Sequence, residues 1–84
     1  MLDEAEARTR RAIDAIMFYL ARRPLAADSD QGIAQWWLPE LGVDLPLADV
    51  RTALDRLVKY EVMAQSTLPD GRVIFRATPA TRTP

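Results

Sequence analysis

Residues 45–78 place an amphipathic helical pattern directly before two short strand patterns, and this juxtaposition constrains the chain more than any other feature. Within residues 46–60, Leu47, Val50, Leu54, Leu57 and Val58 recur at helical spacing and fill one stripe, with Ala53 at its edge. Ala48, Thr52, Asp55, Arg56 and Lys59 then face outward. Residues 62–68 and 73–77 flank Pro69-Asp70-Gly71-Arg72, as two strands joined by a turn would. Asp70-Gly71 suits a two-residue type I′ turn, in which both central residues need positive φ. Such a turn pairs Leu68 with Val73, Ser66 with Phe75 and Ala64 with Ala77, and sends these residues to the core together with Val62. Met63, Gln65, Thr67, Arg72, Ile74 and Arg76 are left on the opposite face.

Two helical patterns precede this unit. In residues 3–22, Ala12, Ile13, Ile16, Met17 and Leu20 form one stripe, with Phe18 opposite. Acids in the first turn and Arg22 and Arg23 at the end match the helix dipole, and Pro24 stops the helix. Asp28-Ser29-Asp30-Gln31 reads as a capping box with Asp28 as the cap. The second helix carries Ile33, Trp36 and Trp37 and is expected to end before Pro39. Gly32 inside it implies close approach of another backbone. With 84 residues there is room for one core, here residues 1–77, and the Thr- and Pro-rich segment 78–84 is expected to be a disordered tail.

The run Val50-Arg51-Thr52-Ala53-Leu54-Asp55-Arg56-Leu57-Val58-Lys59-Tyr60-Glu61-Val62 resembles the winged-helix pattern V-x-x-A-L-x-x-L-v-x-x-G-l, and Asp70-Gly71-Arg72-Val73 resembles the tip of a wing. The resemblance implies a mainly α fold with a β-hairpin: a winged helix-turn-helix of three helices and a two-stranded wing, in a small stand-alone bacterial protein. One departure is Glu61, which stands where the family has a glycine suited to a left-handed helix cap.

The winged-helix resemblance implies a DNA-binding transcriptional regulator acting on double-stranded DNA. Thr52 and Arg56 would reach base edges, Lys59 and Arg72 would contact phosphate, and Arg51 would lie on the flank. Charge opposes this reading. The chain has 11 basic and 12 acidic residues, a formal net of −1, whereas nucleic-acid binders draw much of their affinity from basic excess. Asp55 lies four residues from both Arg51 and Lys59 and can pair with either. Arg8, Arg10 and Arg11 cluster, but Glu4, Glu6 and Asp14 balance them on a solvated face.

The alternative is a non-catalytic adaptor that docks a protein partner. Trp36 and Trp37 diverge around the helix, so at least one enters the core and the other is open to a partner, although packing of both beside Ile33 is the leading reading. Phe18, Met63 and Ile74, each on the outer side of its own element, suggest a shared patch for homodimerisation or docking. The chain has neither cysteine nor histidine, and its serines fall at a helix start and in a strand. No catalytic residue, metal site or cofactor is therefore expected. No apolar run approaches a bilayer span, and the acidic start lacks a signal-peptide pattern, so a cytoplasmic location without membrane association is expected.

Overall fold

A computed structural model describes residues 3–79. They form a small α+β domain of three helices and a three-stranded antiparallel sheet. Helix α1 is Glu4–Arg22. The Asp3 carboxylate caps it by accepting the Glu6 N–H at 2.7 Å, and Glu4 and Glu6 occupy its first turn. Its buried residues are Thr9, Ala12, Ala15, Ile16 and Leu20. The stripe is thus rotated from the expected one: Met17 is exposed and Ile13 half-buried. Past Pro24 the chain forms a two-residue strand, β1 (Ala27–Asp28), too short to leave an alternating pattern in the sequence.

Helix α2 spans residues 30–40 and is irregular. Its cap is Ser29 rather than Asp28: Ser29 Oγ accepts the Gly32 N–H at 3.1 Å, while Asp28 accepts the Ser29 N–H at 2.8 Å. The Asp28 carboxylate lies over Gly32, where an added Cβ would stand 1.9 Å from Oδ1. Gly32 therefore makes room for a side chain, not for another backbone. From Ile33 to Trp37 the helix widens into a π-turn, and the Leu38 N–H bonds Ile33 O, five residues back. Pro39 supplies a physical reason, since in an α-helix its ring would meet the carbonyl of Gln35. The wider turn lets the helix continue through Pro39 to Glu40 instead of ending before it. Gly42, at φ +75°, then closes the helix: Val43 N–H bonds Leu38 O and Gly42 N–H bonds Pro39 O, the two bonds of a Schellman motif.

Helix α3 is Leu47–Lys59. It buries Val50, Ala53, Leu54 and Leu57, with Leu47 and Val58 half-buried, close to the expected stripe. It also buries Asp49 in its first turn. Its end repeats the Schellman bonds, from Val62 N–H to Leu57 O and from Glu61 N–H to Val58 O. Glu61 occupies the left-handed position at φ +62°.

Strands β2 (Met63–Thr67) and β3 (Val73–Ala77) form the hairpin, and β1 joins the other edge of β3, giving the order β1-β3-β2. The register is one residue from the expected one: Thr67 pairs with Val73, Gln65 with Phe75 and Met63 with Ala77. The cause is the turn. Gly71 N–H bonds Leu68 O and Leu68 N–H bonds Arg72 O, closing a three-residue loop in which only Gly71 has positive φ, at +90°. Pro69 favours the first central position of a type I turn, which a left-handed glycine completes as a G1 bulge. A one-residue slip exchanges the faces of a strand. Met63, at 1% exposure, therefore enters the core, and Val62 is exposed while Ala64, Ser66 and Leu68 are half-buried. On β3 Phe75 is buried and Ala77 half-buried as expected, but Val73, also expected in the core, is exposed near the turn. Ile16, Ile33, Leu38, Val50, Leu54 and Met63 are the largest fully enclosed side chains. Enclosure of each contributes roughly 1.5–3 kcal/mol relative to leaving it in water.

Candidate functional site

Helix α3 presents Arg51, Thr52, Asp55 and Lys59 to solvent, but its arginines are engaged by other elements. Arg51 Nε donates to Asp30 Oδ2 of α2 at 2.7 Å. Arg56, half-buried, donates from both terminal nitrogens to the carboxylate of Glu6 on α1, at 2.5 and 2.6 Å. Arg8 of α1 donates to the buried Asp49 at 2.9 Å. At the hairpin tip, Arg72 Nε donates to Asp70 Oδ2 at 2.8 Å, and the Arg72 N–H reaches Asp70 Oδ1 at 3.0 Å. The expected pairing of Asp55 with Arg51 is thus replaced by a bond from Arg51 to α2, and neither Asp55 nor Lys59 is in an ion pair among the described residues. Thr52 donates its hydroxyl to Ala48 O, and the Lys59 ammonium lies 5.9 Å from the Tyr60 ring centre.

The carboxylates register their partners. The hydrogen bond from Arg56 holds the Glu6 carboxyl below the usual range, and that from Arg51 does the same for Asp30. Asp70 is lowered first by the backbone N–H of Arg72 and then by its guanidinium. The sequence sets Glu6 against Arg8, Arg10 and Arg11 and Asp30 at a helix start, whereas the fold pairs these acids with Arg56 and Arg51. Each lies at least twenty residues from its arginine, 50 for Glu6 and 21 for Asp30, beyond the reach of local spacing.

The five candidate DNA contacts do not form one positive face. Arg51 and Arg72 line a groove of about 440 Å³ between α3 and the hairpin, with Asp30, Asp55, Gln31 and Gln65 beside them. Arg56 turns away to a second groove, lined by Glu6, Arg10, Ile13 and Tyr60. Thr52 and Lys59 remain exposed.

The candidate interface residues also separate. Trp37 is in the core, stacked on Tyr19 with ring centres 4.5 Å apart and planes 9° from parallel. Trp36 is 69% exposed, so packing of both tryptophans inside is overturned, as is a partner contact through Trp37. Their adjacent positions on α2 thus hold one indole in and the other out. Met63 is enclosed and Ile74 half-buried on the outer sheet face, so Phe18, Met63 and Ile74 share no patch. Phe18, 53% exposed, lies instead under the Arg22 guanidinium, 5.7 Å from its ring centre. Two adjoining grooves that share Tyr19 and Glu40 connect Phe18 to Trp36 along the surface of α1 and α2. Arg23 stacks on Tyr19 and pairs with Glu40 at their junction.

Among the described residues no cluster of His, Cys, Asp or Glu could hold a metal ion, and no helix is long and apolar enough to cross a membrane. No family model, no curated protein and no solved structure matches the chain.

Proposed function

We propose that this chain is a winged-helix domain acting as a non-catalytic protein-interaction module, with Trp36 as the side chain that a partner covers. The fold reading is supported by the order helix, strand, helix, helix, strand, strand and by the β1-β3-β2 sheet. The role rests on one observation: Trp36 stands 69% exposed beside a groove of about 480 Å³ lined by Tyr19, Gln35, Pro39 and Glu40. A tryptophan offers roughly 150–250 Å² to a contact. Covering the exposed share of Trp36 is worth on the order of 3 kcal/mol before the entropic costs of association. The partner surface is apolar, and its affinity changes little with salt.

The test compares proteins captured from the source cells by the parent chain, by Trp36→Ala and by an Arg51→Ala/Arg72→Ala variant. A protein retained by the parent and the arginine variant but lost with Trp36→Ala is the expected result. A capture pattern indifferent to Trp36 overturns the reading.

A second reading, a DNA-binding regulator, is favoured by the groove that brings Arg51 of α3 and Arg72 of the hairpin to one side, next to exposed Thr52 and Lys59. Both arginines would have to exchange a carboxylate for a phosphate, an exchange that exposed ion pairs permit because each is worth only about 0–1 kcal/mol. Titration of mixed-sequence duplex DNA should then show affinity falling steeply as salt rises. Absence of binding at low salt would count against general DNA affinity.

A further inference from the structure

Helix α1 has a second, outward stripe that the core does not use. Asp14, Met17, Phe18, Ala21 and Arg22 are all exposed and fall at helical spacings of three and four. Met17 and Phe18 leave about half of their surface open in the middle of this stripe. Asp14 lies four residues before Phe18 and Arg22 four residues after it, one turn to either side. Neither makes an ion pair among the described residues, and the same holds for exposed Arg10 and Arg11 one turn before Asp14.

We propose that this stripe pairs with the same stripe of a second copy of the chain, the two α1 helices running antiparallel about a twofold axis at Phe18. The charge pattern selects that occupant. With Phe18 facing Phe18 in antiparallel register, Asp14 of each copy stands opposite Arg22 of the other, so two ion pairs flank an apolar centre. A parallel pairing in the same register would set Asp14 against Asp14 and Arg22 against Arg22. A twofold interface must be complementary to itself, and a stripe with opposite charges equally spaced about an aromatic meets that condition. Arg22 is already placed for the contact, its guanidinium lying over the Phe18 ring. Alongside runs a groove of about 340 Å³ in which Ala15, Phe18, Leu41 and Val43 offer apolar contact to the partner's Phe18 or Met17, with Arg11 and Asp14 at its charged end. Phenylalanine, methionine and arginine are the residue types that interface centres favour. Trp36 is not part of this contact, so the inference is independent of the proposed function.

Sedimentation equilibrium of the full chain, from micromolar to millimolar concentration, tests it. The parent should show a monomer–dimer equilibrium. Asp14→Arg and Arg22→Asp alone should each weaken the dimer roughly tenfold or more, by facing like charges across the axis. Mixing the two single variants should restore association as a heterodimer, and the double variant D14R/R22D should restore it as a homodimer. Phe18→Ser should weaken it in every background, with the helical circular dichroism unchanged. A parent that stays monomeric at millimolar concentration overturns the proposal. So does a folded pair of charge variants that fails to recover association on mixing.

Discussion

Helices α2 and α3 are neighbours in sequence and are held in opposite ways. Helix α3 is regular: one continuous apolar face enters the core, and ion pairs to α1 and α2 fasten its flanks. Helix α2 depends on local devices, namely a serine cap, a glycine under Asp28, a π-turn ahead of Pro39 and a left-handed glycine at its end. The difference shows which physical signals travel through sequence. Periodic burial is written along α3 and can be read there. The geometry of α2 is set by single residues whose partners are known only once the chain is folded.

Substitutions probe this contrast, beginning with the largest effect. Leu54→Ala removes a fully enclosed side chain from the face that holds α3 and should cost about 2–5 kcal/mol in denaturant unfolding. Gly32→Ala should cost about 1–3 kcal/mol, because the Asp28 carboxylate must be displaced from its seat over α2. Asp28→Ala in the same chain should recover part of that loss, and a non-additive double variant would establish the packing cause.

The two helix ends then give a matched pair. Gly42→Ala meets no atom within 4 Å of the new Cβ, so its cost should be only that of a left-handed non-glycine residue, about 1 kcal/mol. Glu61→Gly should stabilise by a similar amount, since the same hydrogen bonds are made there around a strained residue. Equal and opposite changes in thermal midpoint would show that the two ends differ in residue type alone.

The smallest effect belongs to the flanks of α3. Arg51→Ala should change stability by less than about 1 kcal/mol at neutral pH. Its clearer signature lies in pH. Glu6 and Asp30 have carboxyls lowered by their arginines, so their contribution is complete above the ordinary carboxylate range. It is lost as pH falls through the lowered folded-state values. An acid titration of Arg51→Ala should therefore lose less stability on acidification than the parent does.

The fold was largely legible because three helices and a hairpin rest on periodicity and turn residues. The hairpin register was not, although its cue was present: Asp70-Gly71 argues for a two-residue turn, whereas Pro69 one position earlier argues for a type I turn with three. The proline prevailed, and with it the face of β2. Strand β1 has two residues and pairs with a strand some fifty positions away, so no local pattern marks it. Of the candidate site, the exposure of Arg51, Thr52 and Lys59 on α3 is legible in the periodicity, but not the partners of its arginines. Asp30 and Glu6 neutralise Arg51 and Arg56 across the fold, and only the folded distances reveal it. The adjacent tryptophans diverge as neighbours on a helix do, but which one faces water is set by the packing of α2 on Tyr19 of α1.

That last feature equips the molecule with two optical probes at consecutive positions. The Trp37 indole, stacked on Tyr19 away from solvent, changes its surroundings when the core opens. The Trp36 indole, already in water, changes them only when something covers it. In Trp36→Phe the remaining emission reports unfolding, and in Trp37→Phe it reports occupancy. A single unlabelled chain can thus distinguish loss of structure from capture of a partner by the direction in which its fluorescence spectrum moves.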